Sequence, residues 1–235
     1  MKAPTKLYLI RHGQTAWSLT GQHTGRTDLP LTMQGEDEVR TLAPRLAAIP
    51  FAQVLTSPLL RARQTCELAG AELGAQAEIE PDLVEWNYGD YEGQRSVDIR
   101  QQRADWNIFR DGCPNGEMPA QVAARADRLI ARLRTLAGNI ALFSHGQFAR
   151  VLAARWVGLQ LIEAQHFSLS TASLSILGYD PHHPEVAVIA QWNSVSDATL
   201  PPLPGTEVGD AKSLKQRGIE GWENEGGELK DQQRP

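Results

Sequence analysis

Only two cysteines, Cys66 and Cys113, occur in the 235 residues, and they form no C-x-x-C pair. Neither a disulfide framework nor a cysteine-based zinc site is expected. No apolar run approaches the ~18 residues that span a bilayer. The mean hydropathy is -0.36, so a membrane protein is not expected either. The first ten residues hold one short apolar run, Leu7 to Ile10, which meets Arg11. That is too little for a signal peptide. Basic charge is in deficit: 23 Lys and Arg stand against 28 Asp and Glu, a net charge of -5. This balance speaks against a general nucleic-acid binder. No internal repeat is visible. The chain does have 41% hydrophobic and 22% charged residues, enough for a packed core in one larger domain or at most two small ones. A cytoplasmic enzyme is the expectation.

Strand and helix patterns alternate along most of the length. Lys6 to Ile10 reads as a buried strand, and Arg11 to Pro30, polar and glycine-containing, as a long loop. Thr32 can cap a helix running to about Ile49, with Pro44 kinking it or ending it early. Gln53 to Thr56 is a second strand, and a helix follows from Pro58 through Leu73. Ala77 to Ile79 suits a third strand. Asp82 to Gly116 is irregular and aromatic, with one helix near Ser96 to Arg103. Val122, Ala126, Leu129, Leu133 and Leu136 recur at helical spacing. Ile140 to Phe143 is a strong buried strand, and Phe148 to Val157 the next helix. Strands at Ser173 to Leu177 and Val186 to Gln191, joined by a turn at Asp180 to Pro184, close the pattern. The alternation predicts an α/β fold, a three-layer α/β/α sandwich on a mostly parallel sheet. One domain over 1–197 is expected, with a small cap at about 82–118. From Ala198 onward glycine and proline become dense and apolar residues stand alone, so 198–235 reads as a flexible tail.

Three short motifs follow strands directly: Arg11-His12-Gly13, Thr56-Ser57-Pro58 leading to Arg61, and Ser144-His145-Gly146. In an open parallel sheet, residues beyond the C-terminal strand ends converge on one crevice. Two histidines and two arginines gathered there, in an acidic chain, suit a phosphate dianion. A neutral imidazole can attack phosphorus in line, with the other cations stabilising the equatorial oxygens. The leaving oxygen then needs a proton. Glu85, beside Trp86 and Tyr88, is the best donor, since aromatic neighbours can desolvate it and raise its pKa; Asp90 and Glu92 are weaker choices. Such chemistry needs no metal. Taken singly, each residue has a plainer use. A strand-end histidine can satisfy backbone groups, Arg61 and Arg63 can form a solvated helix face, and Glu85 can be a surface carboxylate. His182 and His183 read as solvated turn residues, His166 as structural, and His23 as open to a substrate contact.

Leu9 to Thr15, Thr56 to Thr65, Glu85 and Ser144-His145-Gly146 together resemble the histidine phosphatase superfamily, also called phosphoglycerate-mutase-like. The resemblance covers about Lys6 to Asn193. It implies that His12 is the phosphorylated nucleophile, that Arg11, Arg61 and His145 complete the phosphate pocket, and that Glu85 is the proton donor. The runs Trp17 to Gly25, Glu85 to Gly93 and Trp106 to Cys113 are similar to the branch holding sedoheptulose-1,7-bisphosphatase and broad acid phosphatases. By the same analogy Ser18, Thr24, Gly25 and Tyr88 contact substrate. The implied activity is hydrolysis of small phosphorylated metabolites, such as sugar phosphates or bisphosphates, through a phosphohistidine. No metal, cofactor, nucleic acid or membrane is implied, and a homodimer is left open. The alternatives are phosphoglycerate mutase activity and a catalytically silent phosphate-binding module on the same fold.

Overall fold

The computed structural model describes residues 5–195; the tail expected at 198–235 lies outside them. The strands among the described residues are β1 (Lys6–Arg11), β2 (Phe51–Thr56), β3 (Glu78–Ile79), β4 (Asn139–Ser144), β5 (Leu174–Tyr179) and β6 (Ala187–Ser194). They form one sheet in the order β3-β2-β4-β1-β5-β6. The first four run parallel, β5 is antiparallel to β1, and β6 is antiparallel to β5. The helices are α1 (Ala16–Thr20), α2 (Met33–Arg40), α3 (Ala43–Ala47), α4 (Leu60–Ala69), α5 (Ala71–Gln76), α6 (Ser96–Gln102), α7 (Ile108–Asp111), α8 (Pro119–Leu133) and α9 (Gly146–Trp156).

Strand periodicity divides the core. Leu7, Leu9, Ile140 and Leu142 point to one face, where they meet apolar residues of α8 and α9. Tyr8, Ile10, Ala141 and Phe143 point to the other, against α2, α3 and α4. The sheet is thereby covered on both sides, as a mostly parallel sheet requires, and the expected three-layer sandwich is present.

Several boundaries differ from the sequence expectation. The loop 11–30 contains α1, whose N-terminus is closed by a reciprocal cap between Thr15 and Ser18. The helix expected from Thr32 to Ile49 is two helices. Pro44 lies in the first turn of α3, where a missing N–H costs nothing, so it starts a helix rather than kinking one. The helix expected from Pro58 to Leu73 is also split, because Gly70 is extended (φ 166, ψ 129). A short helix, α7, adds itself to the aromatic stretch.

Candidate active site

Strand register assembles the site. β1 pairs with β4 so that Arg11 lies opposite Ser144. The residue after each strand is a histidine, and the two rings end 5.2 Å apart, tilted by 59°. β2 pairs with the other edge of β4, Thr56 opposite Phe143. Ser57 therefore arrives beside His145, with its Oγ 2.7 Å from His145 Nε2. Close backbone approach holds the first motif in place. The Gly13 N–H donates to Thr65 Oγ1 at 3.1 Å, and a Cβ on Gly13 would meet the Gly35 carbonyl at 2.5 Å.

The ring nitrogens can be assigned from their partners. His12 Nδ1 lies 2.7 Å from the Gly13 carbonyl oxygen. A carbonyl only accepts, so Nδ1 carries the hydrogen and the lone pair is on Nε2. His145 Nδ1 accepts from Arg61 Nε at 3.1 Å, so its hydrogen is on Nε2, donated to Ser57. Burial, then the charges of Arg61 and Arg11, hold His12 well below its ordinary pKa. Burial and Arg61 likewise lead the causes that depress His145. Both rings are neutral near pH 7.

Glu85 reaches the site from an irregular segment. Its Oε1 accepts from the backbone N–H of Trp86 (2.8 Å) and Phe148 (2.9 Å), and its Oε2 from that of Gln147 (3.0 Å). The carboxyl thus caps the N-terminus of α9, where an acidic group is favoured. Burial raises its pKa against the pull of those bonds and of Arg61. Arg125 fixes the segment from below, donating to the carbonyls of Val84 (2.7 Å) and Asp82 (2.8 Å) and pairing with Glu117 at 3.1 Å.

Arg61 is fully buried, and burial lowers its pKa to about 10, which leaves it cationic at neutral pH. Its remaining donors hold the loop 24–27 through the carbonyls of Thr24, Gly25 and Thr27, each at 3.0 Å. Glu92 grips the same loop from the other side, accepting from the N–H groups of Gly25 (2.8 Å) and Thr27 (3.1 Å). Only a glycine fits at 25, since a Cβ would meet the Trp86 carbonyl at 2.5 Å.

Above this floor lies an open cleft. Arg11, His12, Glu85, Ser18, Thr24 and Tyr88, all expected at the site, line it. Arg61 and His145 sit one layer beneath, and Gly25 contributes backbone to the loop clamp rather than to the cleft wall. Arg11 also donates from Nη1 to the Leu169 carbonyl. His23, left open to a substrate contact, lines the cleft too, as do Gly21, Gln22, Gly146 and Gln147, for which no substrate contact was expected. His23 stacks on Tyr88 (4.5 Å, 14°), and its Nε2 is 3.1 Å from Ser96 Oγ. Burial drives its pKa down to about 3. Ser57 and Thr65 were named within motifs but given no role, and Arg125 was missed. Arg125 left a trace: it falls on the apolar stripe of α8, between Val122 and Leu129, where a charge is out of pattern. Trp86, Trp106 and Phe109 are core residues. His182 and His183 sit in the turn, where their backbone N–H groups donate to Asp180 Oδ1. His166 is exposed, its Nε2 3.7 Å from Glu163.

The fold and site define a phosphohistidine-type hydrolase scaffold, and comparison with known proteins agrees. Residues 7–192 match the model of the histidine phosphatase superfamily (branch 1). The chain belongs to that superfamily and is a histidine phosphatase. It is 39% identical over 188 residues to an acid phosphatase of Mycobacterium tuberculosis, covering 78% of this chain and 91% of the relative. It is also 39% identical over 181 residues to sedoheptulose 1,7-bisphosphatase of Saccharomyces cerevisiae, covering 64% and 67%. A solved structure of an open reading frame product from M. tuberculosis superposes with a TM-score of 0.72 at 35% identity, covering 81% of this chain and 99% of that one. Among the described residues no helix is long and apolar enough to cross a membrane.

Proposed function

We propose that this protein hydrolyses small phosphate monoesters with His12 as nucleophile and Glu85 as general acid and base. The observation that carries the reading is the hydrogen on His12 Nδ1, directed at Gly13, which leaves Nε2 as a lone pair beside Arg11 and above the buried Arg61. Nε2 attacks phosphorus as the ester P–O bond breaks. The protonated Glu85 carboxyl delivers its hydrogen to the departing oxygen, so the alcohol leaves neutral. Glu85, now ionised, takes a proton from water, whose oxygen attacks the phosphohistidine. Free phosphate leaves and Glu85 is again protonated. Arg11 and Arg61 offset the charge on the transferring group, and the neutral His145 completes the pocket by holding Arg61 through its Nε–H. Arg61 and His145 act from beneath the cleft, in contact with one another, and substrate draws near them only through the floor. Ser18, Thr24, Gly25 and Tyr88 remain the proposed substrate contacts, Gly25 through its backbone.

An acid phosphatase and a sedoheptulose 1,7-bisphosphatase among the relatives support a diffusible phosphorylated metabolite in the cytoplasm as the substrate. The buried free thiols Cys66 and Cys113 suit that reducing setting. The test is a rapid quench with labelled p-nitrophenyl phosphate. An acid-labile, base-stable phosphoprotein should form, and should be absent in His12→Ala, with turnover down about 10⁴-fold or more. Label retained in that variant would overturn the nucleophile. Interconversion of phosphoglycerates that needs a bisphosphoglycerate would favour the mutase instead.

A further inference from the structure

The apolar stripe of α8 carries one charge, Arg125, which is 6% exposed and does not line the cleft. Burying a guanidinium is costly unless its donors are satisfied. Here all three nitrogens are engaged. Nε and Nη2 donate to the two carboxylate oxygens of Glu117, each at 3.1 Å. Nη1 donates to the carbonyls of Asp82 (2.8 Å) and Val84 (2.7 Å), and Nη2 also reaches the Glu85 carbonyl at 3.4 Å. Burial lowers the Arg125 pKa and Arg26 adds to this, while Glu117 and Glu85 act in the other direction.

Those acceptors belong to the chain that carries Glu85. No helix or strand holds residues 84–88. Ser144 Oγ donates to the Leu83 carbonyl at 2.8 Å, and the exposed Arg128 pairs with the Asp82 carboxylate at 2.6 Å. The carbonyls on either side of the Glu85 Cα, those of Val84 and Glu85, both end on Arg125. On its flat face the same guanidinium lies 4.2 Å from the centroid of the Phe148 ring. Phe148 is a residue whose N–H donates to Glu85 Oε1, at 2.9 Å. One side chain therefore grips both the backbone that bears the carboxyl and a residue that caps it. A hydrophobic replacement would leave the carboxyl its donors but remove the frame that aims it.

We propose that Arg125 is the positioning residue for the general acid: it fixes where the Glu85 carboxyl stands against a departing oxygen, and touches no substrate itself. This rests on the hydrolase reading above and deepens it. Two esters with the same ring test it, p-nitrophenyl phosphate with a good leaving group and phenyl phosphate with a poorer one, compared by kcat/KM. Arg125→Met should slow phenyl phosphate by about tenfold or more and p-nitrophenyl phosphate by less than about threefold. Arg125→Lys keeps the charge but not the planar fork, and should give the same pattern more weakly. Glu117→Gln leaves Arg125 in place, loosens its ion pair, and should give it more weakly still. In a Glu85→Gln background Arg125→Met should add almost nothing, since the group it aims no longer transfers a proton. Equal slowing of both esters, or losses that multiply in the double variant, overturns the proposal and leaves Arg125 a structural residue. If Arg125→Met does not fold, Arg125→Lys and Glu117→Gln decide by the same two criteria. A Glu85→Gln variant that separates the esters while the Arg125 variants do not overturns the positioning alone. No separation in Glu85→Gln, or no phosphate release by the wild type, overturns the general acid and this proposal with it.

Discussion

The floor and the wall of the cleft are built differently. The floor is strand-end residues: His12, Ser57 and His145 follow three adjacent parallel strands, and Arg61 lies in the first turn of the helix after one of them. All are buried, and the two histidines and Arg61 have pKa values displaced by burial. The wall is loop and short helix, from α1 to residue 27 and from Glu85 to Tyr91, joined where His23 and Gly93 exchange backbone bonds with the other segment. Sheet register allows the floor little freedom, because slipping a strand would break a ladder and turn its side chains to the wrong face. The wall can change residue by residue without disturbing a strand. The proposed catalytic groups sit mostly on the rigid part and the proposed substrate contacts on the adaptable one.

Three perturbations sharpen this contrast, the largest first. Glu85→Gln removes the transferable proton at the boundary of the two regions. Esters with poor leaving groups should slow by about 10²- to 10³-fold and p-nitrophenyl phosphate far less; steady-state rates on both decide it, and equal slowing would sink the acid role. Because burial raises the Glu85 pKa, the acid form survives above the ordinary carboxylate range. Wild-type rates on poor leaving groups should fall as pH rises through that value, and this limb should vanish in the variant.

Ser57→Ala is a pure floor change. It strips the acceptor from His145 Nε2–H, and a buried donor left alone costs about 1–3 kcal/mol. A loss of roughly tenfold in kcat with a lower Tm is expected. An unchanged kcat would show that the imidazole needs no anchor from β2.

His23→Phe touches only the wall. His23 has a folded pKa of about 3 against an ordinary 6.5. Its contribution to stability is therefore complete above pH 6.5 and is lost as pH falls towards 3, by up to about 1.4 kcal/mol per pH unit. Denaturant unfolding between pH 7 and 5 should show a shallower loss in the variant. At neutral pH the cost should be small, about 1 kcal/mol for the Ser96 bond. Parallel pH slopes for the two proteins would mean the ring is not neutral by burial.

The floor was legible because its signals are local. A strand-forming run followed at once by a polar motif marks a strand end, and three such junctions in an alternating pattern can only converge. Glu85 was found through its aromatic neighbours, though not its partner: capping by α9 joins residues 62 apart in sequence. Arg125 and Glu92 act through backbone carbonyls and N–H groups of distant segments, which carry no sequence mark, and Ser57 acts on the ring of a histidine 88 residues away. The break at Gly70 was hidden for a related reason, whereas Pro44 marked the break in its helix in advance. Apolar spacing continues across Gly70, while the direction of the chain changes.

Strand and helix periodicity and motif position by themselves determined the layered architecture and the set of ionisable groups at the strand ends, and the resemblance of those motifs to a known family gave the superfamily. Those are properties of short windows, where hydrophobic period and residue type decide the outcome. Tertiary structure alone decided which imidazole keeps a free lone pair, that Arg61 and His145 lie beneath the cleft, and that burial holds His23 on its wall neutral. Each depends on which distant donor or acceptor a side chain meets in a buried, weakly screening interior, and that is settled only when the sheet has closed.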